Sequence, residues 1–248
     1  MKNCIYMAFD GGYEKYVRKC INSITQNWEN HPKIIAYCKD ISESFRQFIL
    51  ASNVEIRQII GHEYKNLGPV GNTIVYNKYE CWNPTSFGEY DNVLHLDCDT
   101  IIKKPLDSIF TGNSTFFNNN EILDGVKSFK NSNLPMCNAG VFVVNKKNIN
   151  ISDYNELIEN TIKFSSEALF ADQSIISLWC YLNDITLSND VYYNFQPHFM
   201  NYSHANYSFE DIKVIHFTAK KPDTISFDVW WRLDNYADLF YKEWKKYE

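Results

Sequence analysis

The chain has 248 residues, of which 45% are hydrophobic, so it can bury a sizeable core and suits one α/β domain. Its 24 basic and 30 acidic residues give a formal net charge of −6. This charge argues against nucleic acid as a partner, because nucleic-acid-binding proteins carry basic stripes. No apolar run approaches the roughly 20 residues that a membrane span needs, and the first glycines come too early for a signal peptide. We therefore expect a cytoplasmic protein without a transmembrane segment.

The cysteines support the same expectation. There are seven, with no C-x-x-C pair and no even disulfide framework. Cys4, Cys38, Cys98 and Cys137 lie in or beside apolar runs. Buried free thiols in a reducing compartment are therefore expected, in preference to disulfides or a zinc site.

The first part of the chain alternates between strand-like and helix-like segments. Apolar runs predict strands at residues 4–9, 33–38 and 54–60, and helical spacing of apolar residues predicts helices at 14–28 and 41–51. Strands that alternate with helices in this way indicate a mostly parallel, doubly wound sheet.

The rest of the chain continues the alternation after a loop at 68–71, which glycine and proline mark. The further predicted elements are a helix at 73–82, strands at 92–97 and 139–145, helices at 153–164 and 172–182, a strand at 213–217 and an amphipathic helix at 234–246. No repeat or linker marks a boundary, so one domain over residues 1–248 is predicted.

The stretch VLHLDCDTIIKKPLDSIF, residues 93–110, places Asp97 and Asp99 at the end of a buried strand. Ligands of open α/β sheets collect at the carboxyl ends of the strands, and residues two apart on an extended segment point the same way. Two converging carboxylates repel each other, and a hard cation such as Mn²⁺ or Mg²⁺ relieves this while leaving positions for phosphate oxygens. The alternative is a solvated turn, because Asp-x-Asp pairs are also frequent in loops.

This segment resembles the D-x-D segment of glycosyltransferase family 8. Further segments are similar to family segments in the same order: FDGGY (9–13), NKYECW (77–82), NAGVFVVN (138–145), ADQSIIS (171–177) and VIHFTAKKP (214–222). Each segment is a weak signal alone, but the ordered set over roughly residues 3–222 is a strong one.

The resemblance implies a single GT-A-type nucleotide-sugar-binding domain with a mostly parallel central sheet flanked by helices. It implies a metal-dependent, retaining hexosyltransferase that uses a UDP-sugar, with UDP-glucose or UDP-galactose favoured, and Mn²⁺ or alternatively Mg²⁺. The acceptor would be a hydroxyl of a carbohydrate, a lipid-linked glycan or a protein. A homodimer stays open.

The resemblance also implies the metal ligands. Asp99 would be the main ligand, Asp97 would share the metal and reach the ribose or sugar, and His216 would be the third protein ligand. A lone histidine after an apolar strand is more often structural, but beside two aspartates a ligand role is favoured, since imidazole accepts Mn²⁺ readily.

The implied nucleotide site begins at the turn after the first strand. Tyr13 would stack on the uracil base, and Asp10 would accept a hydrogen bond from the base or ribose. The alternative role of Asp10 is a helix cap. Lys78 would point at the donor, and the alternative is a solvated lysine.

Asn138, Asp172 and Gln173 would hold the sugar hydroxyls. For Asp172 the alternative is an N-cap, because a helix is predicted to start there. The implied donor-binding set is Ala8, Asp10, Tyr13, Lys78, Asp97, Cys98, Asn138, Ala139, Asp172, Gln173, His216, Lys220 and Lys221. The implied catalytic set is Asp97, Asp99, Asp172, Gln173 and Lys221.

The last segment departs from the family pattern. Ala219 and Asp223 stand where the family usually has Gly and Trp, and the spacing from His216 to Lys221 is one residue shorter. Either Lys220 or Lys221 would therefore clamp the diphosphate. We expect Lys221, because a proline follows it as in the family.

Two rival functions stay open. A sugar nucleotidyltransferase also places acidic residues after a strand, but FDGGYEKY is a poor phosphate loop. A catalytically inactive GT-A module that binds a sugar or a partner is the other rival. The intact set of Asp97, Asp99 and His216 argues against it.

Overall fold

The computed structural model describes residues 1–58, 73–118, 128–130, 132, 134–197, 207–218 and 237–248. The strands in these residues are β1 Asn3–Asp10, β2 Lys33–Lys39, β3 Glu55–Gln58, β4 Asn92–Leu96, β5 Thr100–Ile102, β6 Thr115–Asn118, β7 Cys137–Asn145 and β8 Val214–His216. The α-helices are α1 Glu14–Asn27, α2 Glu43–Ala51, α3 Pro84–Phe87, α4 Ile151–Phe164, α5 Ala171–Leu182 and α6 Ala237–Lys245. Three-ten helices include Gly11–Tyr13, Thr73–Trp82 and Val191–Tyr193.

Within the described residues, six strands form one sheet in the order β3–β2–β1–β4–β7–β6. β1 lies between β2 and β4 and is parallel to both, and β2 is parallel to β3. β7 is antiparallel to β4 and to β6. β5 and β8 form a separate antiparallel pair. The prediction of a mostly parallel sheet is confirmed.

Both faces of the sheet are buried, as the continuous apolar run of β1 requires. Ile5 and Met7 lie in one hydrophobic cluster with residues of α1, α2 and α6. Cys4 and Tyr6 point to the other face, because side chains alternate along a strand. They lie in a second cluster with residues of the Thr73–Trp82 helix, α4 and α5. Helices therefore flank the sheet on both sides.

The helices begin where the sequence supplies a cap. The Ser42 side chain accepts from the Phe45 backbone N–H at the start of α2, and Asn150 does the same for Asp153 at the start of α4. α1 packs against β5 and buries residues at helical spacing, among them Val17 and Ile21. No helix in the described part of the chain is long and apolar enough to cross a membrane.

Most predicted elements are confirmed with shifts of one or two residues at their ends. The predicted helix at 73–82 is a three-ten helix. β5, β6 and α3 were not predicted, because segments of three or four residues show too little periodicity. The predicted loop at 68–71, residues 59–60 of the third predicted strand and residues 234–236 of the last predicted helix lie outside the described residues.

Candidate active site

The candidate site lies at the carboxyl ends of β1 and β4. The chain runs from β1 outward to β2 and β3, and then returns to place β4 on the other side of β1. The order of strands therefore reverses between β1 and β4, and this is where open α/β sheets bind ligands. Asp10 ends β1, and Asp97 directly follows β4.

The two aspartates lie in a tight turn that directly follows β4 and leads into β5. The Asp97 backbone N–H donates to the Gly140 carbonyl of β7, at 2.7 Å. The Thr100 hydroxyl donates to the Asp97 carbonyl at 2.8 Å, and Thr100 is the first residue of β5. In the β5–β8 pair Thr100 lies opposite His216, and the Phe217 N–H donates to the Asp99 carbonyl at 3.0 Å. This pairing brings His216 beside both carboxylates from more than a hundred residues away.

Asp97, Asp99 and His216 form a cluster that suits a metal ion. One ligand atom of each lies within 4.8 Å of the others. His216 Nε2 is 3.3 Å from Asp99 Oδ1 and 3.7 Å from Asp97 Oδ2. Two carboxylates and one imidazole suit Mn²⁺, because carboxylates are its preferred oxygen ligands and imidazole binds first-row metals. The three residues therefore fit the divalent ion that the sequence predicts.

Gly140 makes room for the histidine. A Cβ atom at Gly140 would lie 2.0 Å from His216 Cε1 and 2.5 Å from Nδ1. The imidazole therefore occupies the space that any other residue at this position would fill. This explains the glycine in the NAGVFVVN segment, to which the sequence analysis assigned no role.

Lys78 is buried between two carboxylates. Its Nζ lies 3.0 Å from Asp97 Oδ1 and 3.0 Å from Asp172 Oδ2, and only 12% of its side chain is exposed. The alternative of a solvated lysine is therefore wrong. The N-cap alternative for Asp172 is also wrong, since Phe170 is the N-cap of α5 and the Asp172 carboxylate faces Lys78.

Asp97 and Asp172 share the Lys78 ammonium group, but the pKa values of their carboxyl groups shift in opposite directions. Burial acts to raise the pKa of Asp97, but the charge of Lys78 and a hydrogen bond from His95 hold this pKa well below its ordinary value. Burial also raises the pKa of Asp172, and there Lys78 does not overcome burial and the nearby charge of Asp97. The difference arises because Asp97 also accepts from the His95 side chain, whereas Asp172 has only its own backbone N–H beside Lys78 and is opposed by the charge of Asp97. Asp97 therefore stays ionised, as a carboxylate that binds a cation must be.

His95 is a site residue that the sequence analysis missed. It is buried in β4, its ring stacks on Phe142 with a centroid distance of 4.8 Å, and its Nε2 lies 3.0 Å from Asp97 Oδ1. Burial lowers the pKa of His95 below its ordinary value, although Asp97 acts to raise it. Since the ionised Asp97 only accepts, Nε2 carries the proton. The signal was a polar residue two positions before Asp97, on the same face of the strand.

A small cavity of about 130 Å³ opens beside the cluster. It brings together six residues that the sequence analysis assigned to the donor or metal site: Ala8, Tyr13, Lys78, Asp97, Cys98 and Asp99. Asp10 caps the Gly11–Tyr13 helix by accepting from the Gly12 N–H at 2.9 Å, so its capping role is present. Lys220 and Lys221 lie outside the described residues.

The residues expected to hold sugar hydroxyls lie at the start of β7 and of α5. Asn138 is buried, and its Oδ1 accepts from the Gly140 N–H at 2.9 Å. Gln173 Oε1 accepts from the Ala139 N–H at 3.3 Å. The Gln173 contact joins α5 to β7, and the Asn138 contact lies within β7. Their roles toward a sugar stay predictions.

Several solved structures with a similar fold are glycosyltransferases. The galactosyltransferase LgtC, solved in complex with donor and acceptor sugar analogs, is 19% identical with a TM-score of 0.69; the match covers 98% of this chain and 95% of LgtC. GlyE of Streptococcus pneumoniae TIGR4 is 21% identical with a TM-score of 0.67, over 99% of this chain and 63% of GlyE. The bifunctional glycosyltransferase WbbM is 17% identical with a TM-score of 0.66, over 96% of this chain and 51% of WbbM. The chain thus spans about half of WbbM and less than two thirds of GlyE, and its fold is that of a GT-A-type glycosyltransferase.

The sequence places the chain within that class. The model of glycosyl transferase family 8 matches residues 4–222. The chain therefore belongs to glycosyl transferase family 8, and the resemblance found in its motifs is confirmed. No curated protein matched the chain.

Proposed function

We propose that this chain is a metal-dependent, retaining hexosyltransferase that moves glucose or galactose from a UDP-sugar to a hydroxyl acceptor. The observation that carries the proposal is the cluster of Asp97, Asp99 and His216 beside the cavity that Ala8 and Tyr13 line. Family membership implies a nucleotide-sugar donor and a glycan acceptor. The hydroxyl acceptor of the proposal is a carbohydrate, a lipid-linked glycan or a protein, and the choice among these is left open.

Mn²⁺ is the proposed ion, with Mg²⁺ as the alternative, because the third ligand is an imidazole. When bound, such an ion acts as a Lewis acid that stabilises charge on the diphosphate leaving group. Asp97 and Asp99 would hold it from the β4–β5 turn, and His216 from β8. Lys221 is the proposed clamp on the diphosphate, with Lys220 as the substitute.

The remaining residues would bind and orient the donor. Tyr13 would stack on the uracil ring. Lys78 would donate to a donor oxygen from its position between the two carboxylates. Asn138 and Gln173 would hold sugar hydroxyls at the junction of β7 and α5.

Retention without a stable glycosyl-enzyme is the proposed stereochemical course. Asp172 is the nearest candidate for a nucleophile, and its carboxylate lies 3.0 Å from the Lys78 ammonium. A carboxylate held in this way suits orientation of a hydroxyl group better than attack on the sugar. The acceptor would therefore enter on the leaving-group side, and a diphosphate oxygen would take its proton.

A donor panel tests the proposal. Purified protein is incubated with UDP-glucose, UDP-galactose and other nucleotide sugars, with and without Mn²⁺. Metal-dependent release of UDP, with retention of the anomer seen by NMR, is expected. An inverted product contradicts the mechanism. In a parallel incubation with UTP and a sugar phosphate, formation of a nucleotide sugar with release of pyrophosphate favours a nucleotidyltransferase. Sugar binding without turnover favours an inactive binding module.

A cytoplasmic location is part of the proposal. All seven cysteines are free and buried, which suits a reducing compartment. A homodimer stays a prediction.

A further inference from the structure

Asn194 lies beside His216 and was not marked by any sequence pattern. We propose that Asn194 is a positioning residue that fixes the orientation and tautomer of the His216 ring, so that Nε2 presents its lone pair to the cation. The inference rests on the metal site of the proposed function. It concerns a residue that would not itself touch the metal or the substrate.

A chain of hydrogen bonds links Asn194 to the backbone of β7. The Gly140 N–H donates to Asn138 Oδ1 at 2.9 Å, and Asn194 Nδ2 donates to the same oxygen at 2.9 Å. Asn194 Oδ1 in turn lies 3.0 Å from His216 Nδ1. The chain thus runs from a backbone amide through two side-chain amides to the imidazole.

The donor and the acceptor of each hydrogen bond follow from the Gly140 N–H, where the chain of bonds begins. A backbone N–H can only donate, so the Asn138 atom that it meets is the oxygen. An oxygen needs a donor, so the Asn194 group that faces Asn138 is the NH₂ group. The other end of the Asn194 amide is then its oxygen, which requires a proton on His216 Nδ1. In a neutral imidazole this leaves the lone pair on Nε2, the atom that faces Asp97 and Asp99.

Burial and backbone contacts hold this arrangement in place. Asn138, Asn194 and His216 are each no more than 4% exposed, so water does not readily replace any of these bonds. The residue after Asn194 also pairs with β8, where Phe195 N–H donates to the Val214 carbonyl at 2.9 Å and His216 N–H donates to the Phe195 carbonyl at 2.8 Å. The Asn194 side chain is therefore fixed in register with His216. Outer partners of this kind set the orientation and basicity of metal-binding histidines.

The first experiment needs no metal and no variant of Asn194. Side-chain ¹⁵N NMR of the metal-free protein reads the tautomer of His216, with His216→Gln used to assign its signal. We expect the proton on Nδ1. A neutral ring with its proton on Nε2 and none on Nδ1 in the metal-free wild type would overturn the inference.

The second experiment measures Mn²⁺ affinity by EPR. Asn194→Leu removes both amide bonds at similar volume and should weaken Mn²⁺ binding about 10- to 100-fold. The matched control is Asn92→Leu, which removes a buried asparagine at the far end of β4 and should leave the affinity unchanged.

The outcomes separate the inference from the proposed function. Wild-type affinity in a folded Asn194→Leu protein would overturn the inference and leave the metal site standing. Failure of the wild-type protein to bind Mn²⁺ would contradict the proposed function, and the inference with it. If Asn194→Leu does not fold, the tautomer in the wild type still decides.

Discussion

The Asp97 carboxylate accepts from side chains on two different elements. Lys78 and His95 both donate to its carboxylate, and His216 Nε2 lies 3.7 Å away. The carboxylate can accept about four hydrogen bonds or metal contacts, so it can keep its protein partners while it binds a cation. The position of this side chain therefore depends on residues outside the D-x-D pair.

His95→Phe tests that dependence. The change keeps the aromatic packing on Phe142 and removes a buried Nδ1 that has no hydrogen-bond partner among the described residues. We expect the fold to be retained and Mn²⁺ affinity to fall about 10- to 100-fold, because Asp97 loses a donor. Calorimetry measures the affinity, and His95→Gln, which keeps a donor, is the control. Unchanged affinity in His95→Phe would mean that the contact with Asp97 is incidental.

Gly140→Ala should displace His216. The new methyl group would lie 2.0 Å from His216 Cε1, far inside van der Waals contact, so the ring must move. We expect the free energy of unfolding to fall by about 1–3 kcal/mol, the scale of overpacking a core, and Mn²⁺ binding to weaken. Denaturant unfolding and EPR measure the two effects.

The control for this prediction is a double-mutant cycle. In a His216→Ala background the added methyl group has room, so Gly140→Ala should lower stability much less there. An equal loss in both backgrounds would show that the strain lies in the β7 backbone rather than at the histidine.

At the scale of elements, α5 begins on a strained residue. Ala171 has φ +40, in the left-handed region that disfavours residues with a Cβ atom. It directly precedes Asp172, so this backbone conformation helps to set where the carboxylate points. Strain of this kind is frequent at functional sites, where the surrounding structure maintains it.

Ala171→Gly should relieve the strain. We expect the free energy of unfolding to rise by about 0.5–1 kcal/mol, because the gain exceeds the entropy that glycine loses on folding. Urea unfolding measures it. Ala51→Gly, at the end of α2, is the matched control and should lower stability. A loss at both positions would show that Ala171 is not strained.

The elements also show what the sequence could and could not predict. β1 and β4 were predictable because each is a buried apolar run, and the D-x-D pair follows β4 directly. The β5–β8 pair was not: β8 was predicted as a strand, but β5 has only three residues and the pairing spans more than a hundred positions. Asn194 lies in a segment without periodicity, so its contact with His216 exists only in the folded chain.

At the scale of the whole molecule, the C-terminal helix closes one face of the sheet. Phe240 and Trp244 of α6 are fully buried in the same cluster as Ile5 of β1. The buried Lys19 of α1 donates to the Trp244 carbonyl at 3.2 Å and pairs with Glu248 at 3.2 Å. A single domain over residues 1–248 stays a prediction, and these contacts support it.

The cysteines give a test of the whole fold. Burial raises the pKa of the Cys20 thiol to about 12 and that of Cys98 well above its ordinary value, and all seven thiols are buried. Thiolate is the reactive form, so a thiol reagent at pH 8 should modify the native protein very slowly. All seven should react at once in guanidinium chloride. Rapid modification in native protein of any one except Cys98, which lines the cavity beside Asp97, would show that this part of the core opens readily.

The central claim is that Asp97, Asp99 and His216 hold a divalent ion through which the nucleotide binds. Calorimetric titration of UDP into the wild-type protein, with Mn²⁺ and after EDTA treatment, tests it most directly. The claim predicts that UDP binds at least about tenfold more weakly without the ion, since the diphosphate then loses its main positive partner. Asp99→Asn should weaken UDP binding in the presence of Mn²⁺ in the same way. Equal UDP affinity with Mn²⁺ and with EDTA would contradict it.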